Sequence, residues 1–497
     1  MGEQPTFKLN KPALFQNKSL VDGAWLEAKS GKRFDVIDPG TGQPWTTAPD
    51  NDASDVEEAV QAAHRAFLGY RRLSPLFRYQ CLLKWGSLIR EHRDDLAQIV
   101  TYETGKPITD AQFEIDYAQS AAWWFAGEAE RIHGTAFDSS VSGKKVMTVK
   151  QPIGVAAALV PWNYPVAMIL RKAGAALAAG CTMMIKPSPE TPLSVLTLAL
   201  LAEEGGFPKG VLNVLPTSLK NTPEVSEALC HHPLVRKVTF TGSTRIGKLI
   251  AKLCTDGMKK VALELGGNCP FIIFSDASLV QAADALMNLK WRNAGQACIS
   301  ANRVYVQSDV YDQFAEILME RTAKLVVGHG SLPSSTMGPV TTPQSLDRAR
   351  SQVEDARKHG ASIALGGDRV KDMPGFFFQP TIILDATKEM RVTQEETFAP
   401  IVTLYRFETE EEAIEAANDT SMGLASYVFT KNIDRAFRLV EDLEAGMIGL
   451  NTSSISAADS PFGGIKESGY GKEAGKDVAV EEYLVTKVAS FALESRV

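Results

Sequence analysis

The chain has 497 residues, which is too long for one ordinary hydrophobic core and predicts two or three domains. Its content of 44% hydrophobic and 22% charged residues is typical of a globular protein and excludes a disordered or fibrous chain. A formal net charge of −7 argues against a surface that binds nucleic acid or anionic membranes.

The pattern in chain order begins with helices and then changes to alternating strands and helices. Residues 53–72 and 75–103 carry apolar residues at helical spacing, and 144–150 has the pattern of a strand in an exposed hairpin. Four short apolar runs follow, each before a helical segment: 153–160 before 165–179, 181–186 before 192–204, 211–215 before 222–230, and 235–240 before 244–254. A second series has strands at 271–274, 303–308, 401–407 and 427–430 and helices near 278–290, 311–326, 409–418 and 432–444.

Two such series predict an α/β fold with two doubly wound parallel sheets and a cleft between them. In folds of this kind, ligands bind beyond the carboxyl ends of the strands.

Residue types that bind metals are scattered along the chain. The six cysteines form no CxxC pair and the seven histidines form no HxxxH or HExxH pattern, so we predict no metal site. Sparse cysteine usage indicates a reducing compartment. Residues 1–15 lack the apolar core of a leader peptide, and 154–170 is too short and interrupted to span a bilayer. We therefore expect a cytoplasmic protein without membrane contact.

Three motifs place reactive groups at turns or strand ends. Cys298 follows a Gly-Gln turn and is a candidate nucleophile. Glu264 ends an apolar strand beside Gly266 and Gly267, a turn that allows another chain or a ligand to approach closely, and is a candidate general base. The Asn163 amide lies between two prolines and is a candidate donor to an oxyanion. Taken singly, these residues are better explained as a buried cysteine, a surface glutamate and a turn.

Together the motifs resemble the aldehyde dehydrogenase superfamily, and the likeness covers nearly the whole chain. The segments that carry it occur in the family's order: PWNYP, KPSPETP, FTGSTRIG, LELGGN, GQAC, EETFAP and PFGGIKESGYG. The resemblance implies that the Cys298 thiolate adds to an aldehyde and that the Asn163 amide and the Cys298 N–H stabilise the oxyanion. Hydride then leaves to the nicotinamide, and Glu264 activates the water that hydrolyses the thioester. Lys172 and Glu473 match positions proposed to relay a proton outward.

The cofactor expected from the resemblance is NADP or NAD, with its pyrophosphate at the helix that follows GSTRIG. The implied contacts are Trp162, Lys186, Ser188, Ser243, Glu396 and Phe398. The GxGxxG fingerprint is absent after the early strands, as it is in the family. NAD-specific relatives often have Glu three residues after the ribose-binding lysine. That position is Pro189, between Ser188 and Glu190, so no carboxylate is expected to repel a 2′-phosphate directly and NADP is slightly favoured.

Two arginines indicate the substrate class. Arg171 and Arg292 match positions near the apolar catalytic tunnel of the family. A cation there costs desolvation free energy unless an anion compensates it, which favours an aldehyde with its own carboxylate. Within the family the chain most resembles succinate-semialdehyde dehydrogenases, which have arginines matching Arg171 and Arg292 and a serine matching Ser456. Ser300 replaces the second cysteine that many of them carry, so we expect no regulatory disulfide there.

Several alternatives remain at this point. One alternative is that the substrate is glutarate semialdehyde or a neutral aldehyde. Another is that one or both arginines pair with protein carboxylates instead of a substrate. A thiol esterase and a non-catalytic binding protein are the other classes considered.

The resemblance also divides the chain. Residues 1–132 and 151–263 are expected to form the NAD(P)-binding domain and 264–455 the catalytic domain. A small β oligomerisation element is expected from 133–150 and 481–497, where a strand would expose its edge in a monomer. A homodimer or homotetramer is the expected assembly.

Overall fold

The computed structural model describes residues 7–494, so the outermost residues of the first expected domain and of the oligomerisation element, 1–6 and 495–497, lie outside it. In chain order the strands are β1 (Ser19–Val21), β2 (Ala24–Leu26), β3 (Arg33–Asp38), β4 (Gln43–Pro49), β5 (Ala136–Asp138), β6 (Lys144–Pro152), β7 (Val155–Leu159), β8 (Thr182–Lys186), β9 (Leu212–Val214), β10 (Val235–Thr241), β11 (Lys260–Glu264), β12 (Cys269–Ile273), β13 (Ala301–Gln307), β14 (Ser362–Leu365), β15 (Thr381–Leu384), β16 (Ile401–Phe407), β17 (Met422–Gly423), β18 (Ala425–Phe429), β19 (Met447–Leu450), β20 (Ile465–Lys466), β21 (Gly469–Tyr470) and β22 (Leu484–Ala492).

The helices, in the same order, are α1 (Ala53–Tyr70), α2 (Pro75–Glu91), α3 (Arg93–Thr104), α4 (Ile108–Glu130), α5 (Pro165–Ala179), α6 (Pro192–Glu204), α7 (Thr222–His231), α8 (Thr244–Thr255), α9 (Leu279–Lys290), α10 (Tyr311–Thr322), α11 (Pro343–Lys358), α12 (Arg391–Gln394), α13 (Glu410–Asn418), α14 (Ile433–Asp442) and α15 (Val478–Glu481). Within residues 7–494, no helix has the length and hydrophobicity needed to cross a bilayer.

The first large sheet has the order β2-β1-β9-β8-β7-β10-β11-β21, and its strands from β9 to β11 are parallel. Successive residues of β7 enter two different cores. Ala156 and Ala158 pack with α2, α4, α5 and α6, whereas Val155, Ala157 and Leu159 pack with α1, α7 and α8. Because helices cover both faces, every residue of β7 is buried, which explains its uninterrupted apolar sequence.

The second large sheet has the order β14-β15-β16-β13-β12-β18-β19 and is parallel except at β14. Phe271 and Ile273 face α9 and α10, and Ile272 and Phe274 face α13 and α14. The predicted α/β class with two doubly wound parallel sheets is therefore confirmed.

A separate antiparallel sheet consists of β22, β6 and β5, and β6 pairs with β22 along its whole length. Large apolar side chains of this sheet are exposed, among them Phe137, Met147, Val488 and Phe491. Segment 456–480, which the sequence assigned to no domain, contributes β21 to the first sheet and pairs β20 with β17.

Some elements differ from the sequence-based prediction. The single helix expected over 75–103 is two helices, because His92 has a non-helical backbone between α2 and α3. The helix expected to reach residue 326 ends at Thr322. The hairpin β1–β2 was not predicted, although its turn residues Asp22 and Gly23 form a strong hairpin signal and both have positive φ.

Candidate active site

Cys298 differs from the other cysteines in its exposure. All six lie in the described part of the chain; five are buried, and Cys298 is partly exposed. The thiol sulfur is surrounded by protein, and this burial raises the pKa of Cys298, while the positive charge of Arg171 partly offsets the effect. The thiol is therefore accessible but protonated at neutral pH in this state, so its proton must be removed before it can act as a nucleophile.

The loop before Cys298 has an unusual backbone. Asn293, Ala294 and Gly295 have φ values of 49°, 52° and 73°, and for the first two residues this left-handed conformation costs on the order of 1 kcal/mol each. Hydrogen bonds hold the loop: the Asn293 side chain donates to the Asn163 carbonyl at 2.9 Å, and the Gln296 side chain donates to the Asn293 carbonyl at 2.9 Å. The strain is thus offset by contacts that place Cys298.

Gly267 allows the nucleophile loop to approach the end of β11. A Cβ atom added at Gly267 would lie 2.1 Å from the carbonyl oxygen of Cys298, a distance that no real side chain tolerates. The structure therefore supports the interpretation of the Gly-Gly turn as a point of close approach, and the approaching chain is the one that carries Cys298.

Asn163 is buried next to this loop. Its Nδ2 donates to the backbone carbonyl of Gln296 at 3.1 Å, and the backbone carbonyl of Asn163 accepts from Lys106 Nζ at 2.7 Å. A carboxamide has two N–H donors. One N–H thus fixes the side chain, and the other has no protein acceptor among the described residues.

Glu264, the last residue of β11, is buried, and neither of its carboxylate oxygens has a hydrogen-bond partner within residues 7–494. Burial raises the pKa of Glu264 well above its usual value, and the nearby Glu473 raises it further. A buried carboxyl group without partners costs free energy and therefore indicates a functional role. A raised pKa makes Glu264 a stronger base than an ordinary glutamate once it is ionised.

Glu473 lies in a cluster of charges behind Glu264. It accepts a hydrogen bond from Lys172 Nζ, and its Oε2 lies 3.2 Å from Arg171 Nη2. Burial alone would raise the pKa of Glu473, but the charges of Lys172 and Arg171 hold it below its usual value. Lys172 and Glu473, the two candidate relay residues, are therefore in direct contact.

A cavity of about 360 Å³ leads to Cys298. Its wall includes all three candidate substrate-binding residues, Arg171, Arg292 and Ser456. The rest of the wall is mostly apolar or aromatic, with Phe113, Tyr117, Met168, Leu289, Ile455 and Phe462 among its residues.

The two arginines in the wall have different surroundings. Arg171 is 3% exposed, pairs with Glu473 and lies 3.9 Å from the centre of the Phe462 ring. The Arg292 side chain is 29% exposed, and its Nε lies 3.9 Å from Asp110 Oδ1, which is too long for a hydrogen bond. Both arginines thus lie within ion-pair distance of a protein carboxylate, as that alternative allows. Arg171 hydrogen-bonds Glu473, whereas the side-chain N–H groups of Arg292 have no hydrogen-bond partner within residues 7–494 and can meet a ligand.

Glu396 and Phe398, the candidates for the nicotinamide side of the cofactor, lie at one edge of the site together with Trp162, a candidate for the pyrophosphate. The rings of Trp162 and Phe398 meet edge to face, 5.6 Å apart. Glu396 accepts from the Gly267 N–H at 3.0 Å, and burial raises the pKa of Glu396 to about 7. Glu396 is thereby tied to the same glycine that accommodates the Cys298 carbonyl.

The candidate residues for the adenosine part of the cofactor, and Ser243 as a candidate for the pyrophosphate, follow strands of the first sheet. Lys186 ends β8 and is buried, which lowers its pKa to about 8, and Ser243 precedes α8, is exposed and makes no capping bond with its side chain. Ser188 donates a hydrogen bond to Glu190. The Glu190 carboxylate therefore lies beside Ser188 and accepts a hydrogen bond from its hydroxyl, and the absence of direct repulsion of a 2′-phosphate stays a prediction.

Residues 25–489 match the model of the aldehyde dehydrogenase family. Succinate-semialdehyde dehydrogenase [NADP(+)] 1 of Schizosaccharomyces pombe is 46% identical over 95% of this chain and 94% of its own. Glutarate-semialdehyde dehydrogenase of Pseudomonas putida is 45% identical over 97% and 98%. The crystal structure of an Escherichia coli NADP-dependent enzyme superposes with a TM-score of 0.96 at 44% identity, covering 98% of this chain and all of the other.

The chain belongs to the aldehyde dehydrogenase family. The resemblance drawn from the seven motifs is confirmed, and with it the expectation of an NAD(P)-dependent aldehyde dehydrogenase. The residues of this aldehyde dehydrogenase fit a nicotinamide dinucleotide. The start of α8 offers N–H groups without helical partners to a pyrophosphate, and the carboxylate of Glu396 can accept from ribose hydroxyls.

The sequence analysis missed a group of residues that contact the site from the α3–α4 connection and from the first turns of α4. Lys106 and Glu114 are paired at 2.6 Å, and Asp110 accepts from the backbone N–H of Asn293 at 2.9 Å. Their signal in the sequence was weak: Gly105-Lys106-Pro107 separates two helices, and polar residues surround this lysine in the sequence. Nothing in the local pattern indicates what this lysine contacts.

Proposed function

We propose that this aldehyde dehydrogenase oxidises an aldehyde that carries a terminal carboxylate, succinate semialdehyde in the first place, with glutarate semialdehyde as the alternative. The observation that carries the proposal is the position of Arg292 in the mostly apolar wall of the cavity that leads to Cys298. Its side-chain N–H groups have no hydrogen-bond partner in the part of the chain that the structure describes. The names of both relatives, a succinate- and a glutarate-semialdehyde dehydrogenase, support the same substrate class.

The residues of the site have complementary roles in this reaction. The Cys298 sulfur adds to the aldehyde carbon, and the oxygen of the adduct accepts hydrogen bonds from the Asn163 amide and the Cys298 N–H. NAD(P)⁺, when bound, supplies the hydride acceptor that turns the adduct into a thioester. Glu264 then takes a proton from water, and the water oxygen adds to the thioester carbon. The C–S bond breaks, the carboxylic acid leaves, and the proton held by Glu264 passes to the Cys298 sulfur, which restores both groups.

A panel of aldehydes of matched length tests the substrate class. We expect kcat/KM for succinate semialdehyde and glutarate semialdehyde to exceed that for butanal and pentanal by about tenfold or more, the value of one charge-assisted contact. Equal values for acids and neutral aldehydes would contradict the proposal. Hydrolysis of a thioester without formation of reduced nicotinamide from any aldehyde would favour the thiol esterase instead.

We further propose that NADP is accepted and slightly favoured over NAD. The resemblance puts Lys186 at the adenine ribose, where its ammonium can pair with a 2′-phosphate, and Pro189 occupies the position at which NAD-specific relatives often have glutamate. The negative charge of Glu190 repels a 2′-phosphate unless the side chain leaves Ser188 and turns away from the cofactor. A preference for NAD above about 100-fold, or about 2.7 kcal/mol, would contradict this proposal.

The assembly and the compartment are proposals as well. The exposed apolar side chains of β5, β6 and β22 support a homodimer or homotetramer built through residues 133–150 and 481–497, outside the NAD(P)-binding domain (1–132 and 151–263) and the catalytic domain (264–455). Sedimentation as a monomer at micromolar concentration would count against it. The unpaired state of all six cysteines supports a cytoplasmic location, which cell fractionation tests.

A further inference from the structure

A buried ion pair lies beneath the site, between Lys106 and Glu114. Its Nζ and Oε2 atoms are 2.6 Å apart, and both side chains are 0% exposed. Removing two charges from water costs several kcal/mol per ion, and such a pair is weak evidence for stability by itself. The contacts of the pair therefore matter more than its presence.

Each member of the pair also contacts the segment that begins α5. Lys106 Nζ donates to the Asn163 carbonyl at 2.7 Å, while Glu114 Oε1 accepts from the backbone N–H groups of Val166 and Ala167 at 2.8 and 3.2 Å. Tyr164, the N-cap residue of α5, makes no side-chain capping bond, so Glu114 takes over that function from another helix. The pair thus fixes the backbone on both sides of Tyr164.

The same carbonyl of Asn163 connects the pair to the nucleophile loop. It accepts a second hydrogen bond from the Asn293 side chain at 2.9 Å, while the Asn163 amide donates to the Gln296 carbonyl at 3.1 Å. Asn293 and Gln296 both belong to the turn that ends at Cys298. The backbone carbonyl of Asn163 therefore accepts one hydrogen bond from Lys106 and one from the loop that carries Cys298.

We propose that Lys106 and Glu114 are positioning residues that hold the Asn163 amide at the distance from Cys298 at which it meets the oxyanion. Donors stabilise an oxyanion efficiently only when they are oriented before the charge develops, since reorientation during the reaction costs free energy. This inference rests on the proposed roles of Asn163 and Cys298.

The test compares the rate of acylation, seen as the first turnover of reduced nicotinamide at saturating aldehyde and cofactor, in single and double variants. We expect Asn163→Ala to slow this step by about 100-fold or more and Lys106→Met to slow it by at least about tenfold. The double variant Asn163→Ala/Lys106→Met should be no slower than Asn163→Ala alone, because the effect of Lys106 passes through Asn163. Lys106→Arg should recover part of the lost rate.

Lys237→Met is the matched control. Lys237 is also buried, pairs with Glu482 at 2.9 Å and lies 5.0 Å from the centre of the Tyr483 ring, and its Nζ makes no hydrogen bond to the Cys298 loop within residues 7–494. The variant Lys237→Met should lower the Tm as Lys106→Met does, and its acylation rate should stay within about twofold of that of the unmodified enzyme. If Lys106→Met does not fold, Glu114→Gln replaces it in the test. A glutamine oxygen can still accept from the N–H groups at the start of α5, whereas the negative charge that pairs with Lys106 is lost.

Three results would overturn the proposal. The first is an effect of Lys106→Met that is as large in the Asn163→Ala background as in the native one. The second is an equal slowing of acylation by Lys237→Met, and the third is an unchanged acylation rate in both Lys106→Met and Glu114→Gln. An unchanged rate in Asn163→Ala would instead contradict the proposed role of Asn163 itself, so the two failures are distinguishable.

Discussion

Replacing Arg292 by alanine should reduce oxidation of a carboxylated aldehyde and spare a neutral one. The change removes a cation from the cavity wall, together with its contact 3.8 Å from the centre of the Phe113 ring. Asp110, its nearest carboxylate, keeps the hydrogen bond from the Asn293 N–H. The nucleophile loop should therefore retain its shape, which makes the variant a specific probe of the substrate carboxylate.

The structure sets the expected size of the effect. A hydrogen bond to a charged group contributes about 1.5–3 kcal/mol. Because the Arg292 side chain is 29% exposed, solvent screening favours the lower part of this range. At about 1.36 kcal/mol for each factor of ten, kcat/KM for succinate semialdehyde should fall by about 10- to 30-fold. The loss should appear mainly in KM, since the carboxylate is bound alike in the ground and transition states.

Steady-state kinetics with succinate semialdehyde and butanal would measure this difference. Arg292→Lys is the matched control, because it keeps the charge and loses the planar fork of donors, and it should lie between the native enzyme and the alanine variant. Equal losses on both substrates would refute the reasoning and assign a structural role to Arg292. Arg171→Ala provides a contrast: it takes one of two cations from buried Glu473 and should impair both substrates.

Further predictions concern the second half-reaction, the nucleophile and the cofactor. Glu264→Gln should give a burst of reduced nicotinamide followed by slow turnover, because hydride transfer precedes hydrolysis; a variant with neither a burst nor slowed deacylation would show that the assigned role is wrong. Cys298→Ala should abolish both the burst and turnover, and any remaining acyl-enzyme would speak against a covalent role for this residue. Burial lowers the pKa of Lys186 to about 8, so the ammonium available to a 2′-phosphate is lost as the pH rises through 8. The Kd for NADP⁺ should then increase by up to about tenfold per pH unit above 8, and a flat profile, or the same profile in Lys186→Met, would disprove this contribution.

Local sequence determined much of this protein. The helices at Pro165–Ala179 and Pro192–Glu204 have the predicted bounds, because proline at the first helical position and glycine after the last one restrict the backbone without help from other segments. The alternation of short apolar runs with helical segments predicted doubly wound parallel sheets. The runs are apolar throughout because successive side chains of a strand enter two different cores. The order of the seven motifs was sufficient to recognise the family.

Contacts between distant segments were decided only by the tertiary structure. Arg171 and Glu473 are 302 residues apart, and nothing in either segment indicates that one neutralises the other. The same holds for Lys106 and the Asn163 carbonyl, which are 57 residues apart. Periodicity reports which side chains are buried, but it carries no information on which buried charges meet. The free energy of a buried charge depends on its partners, so the different roles of Arg171 and Arg292 emerge only from the folded chain.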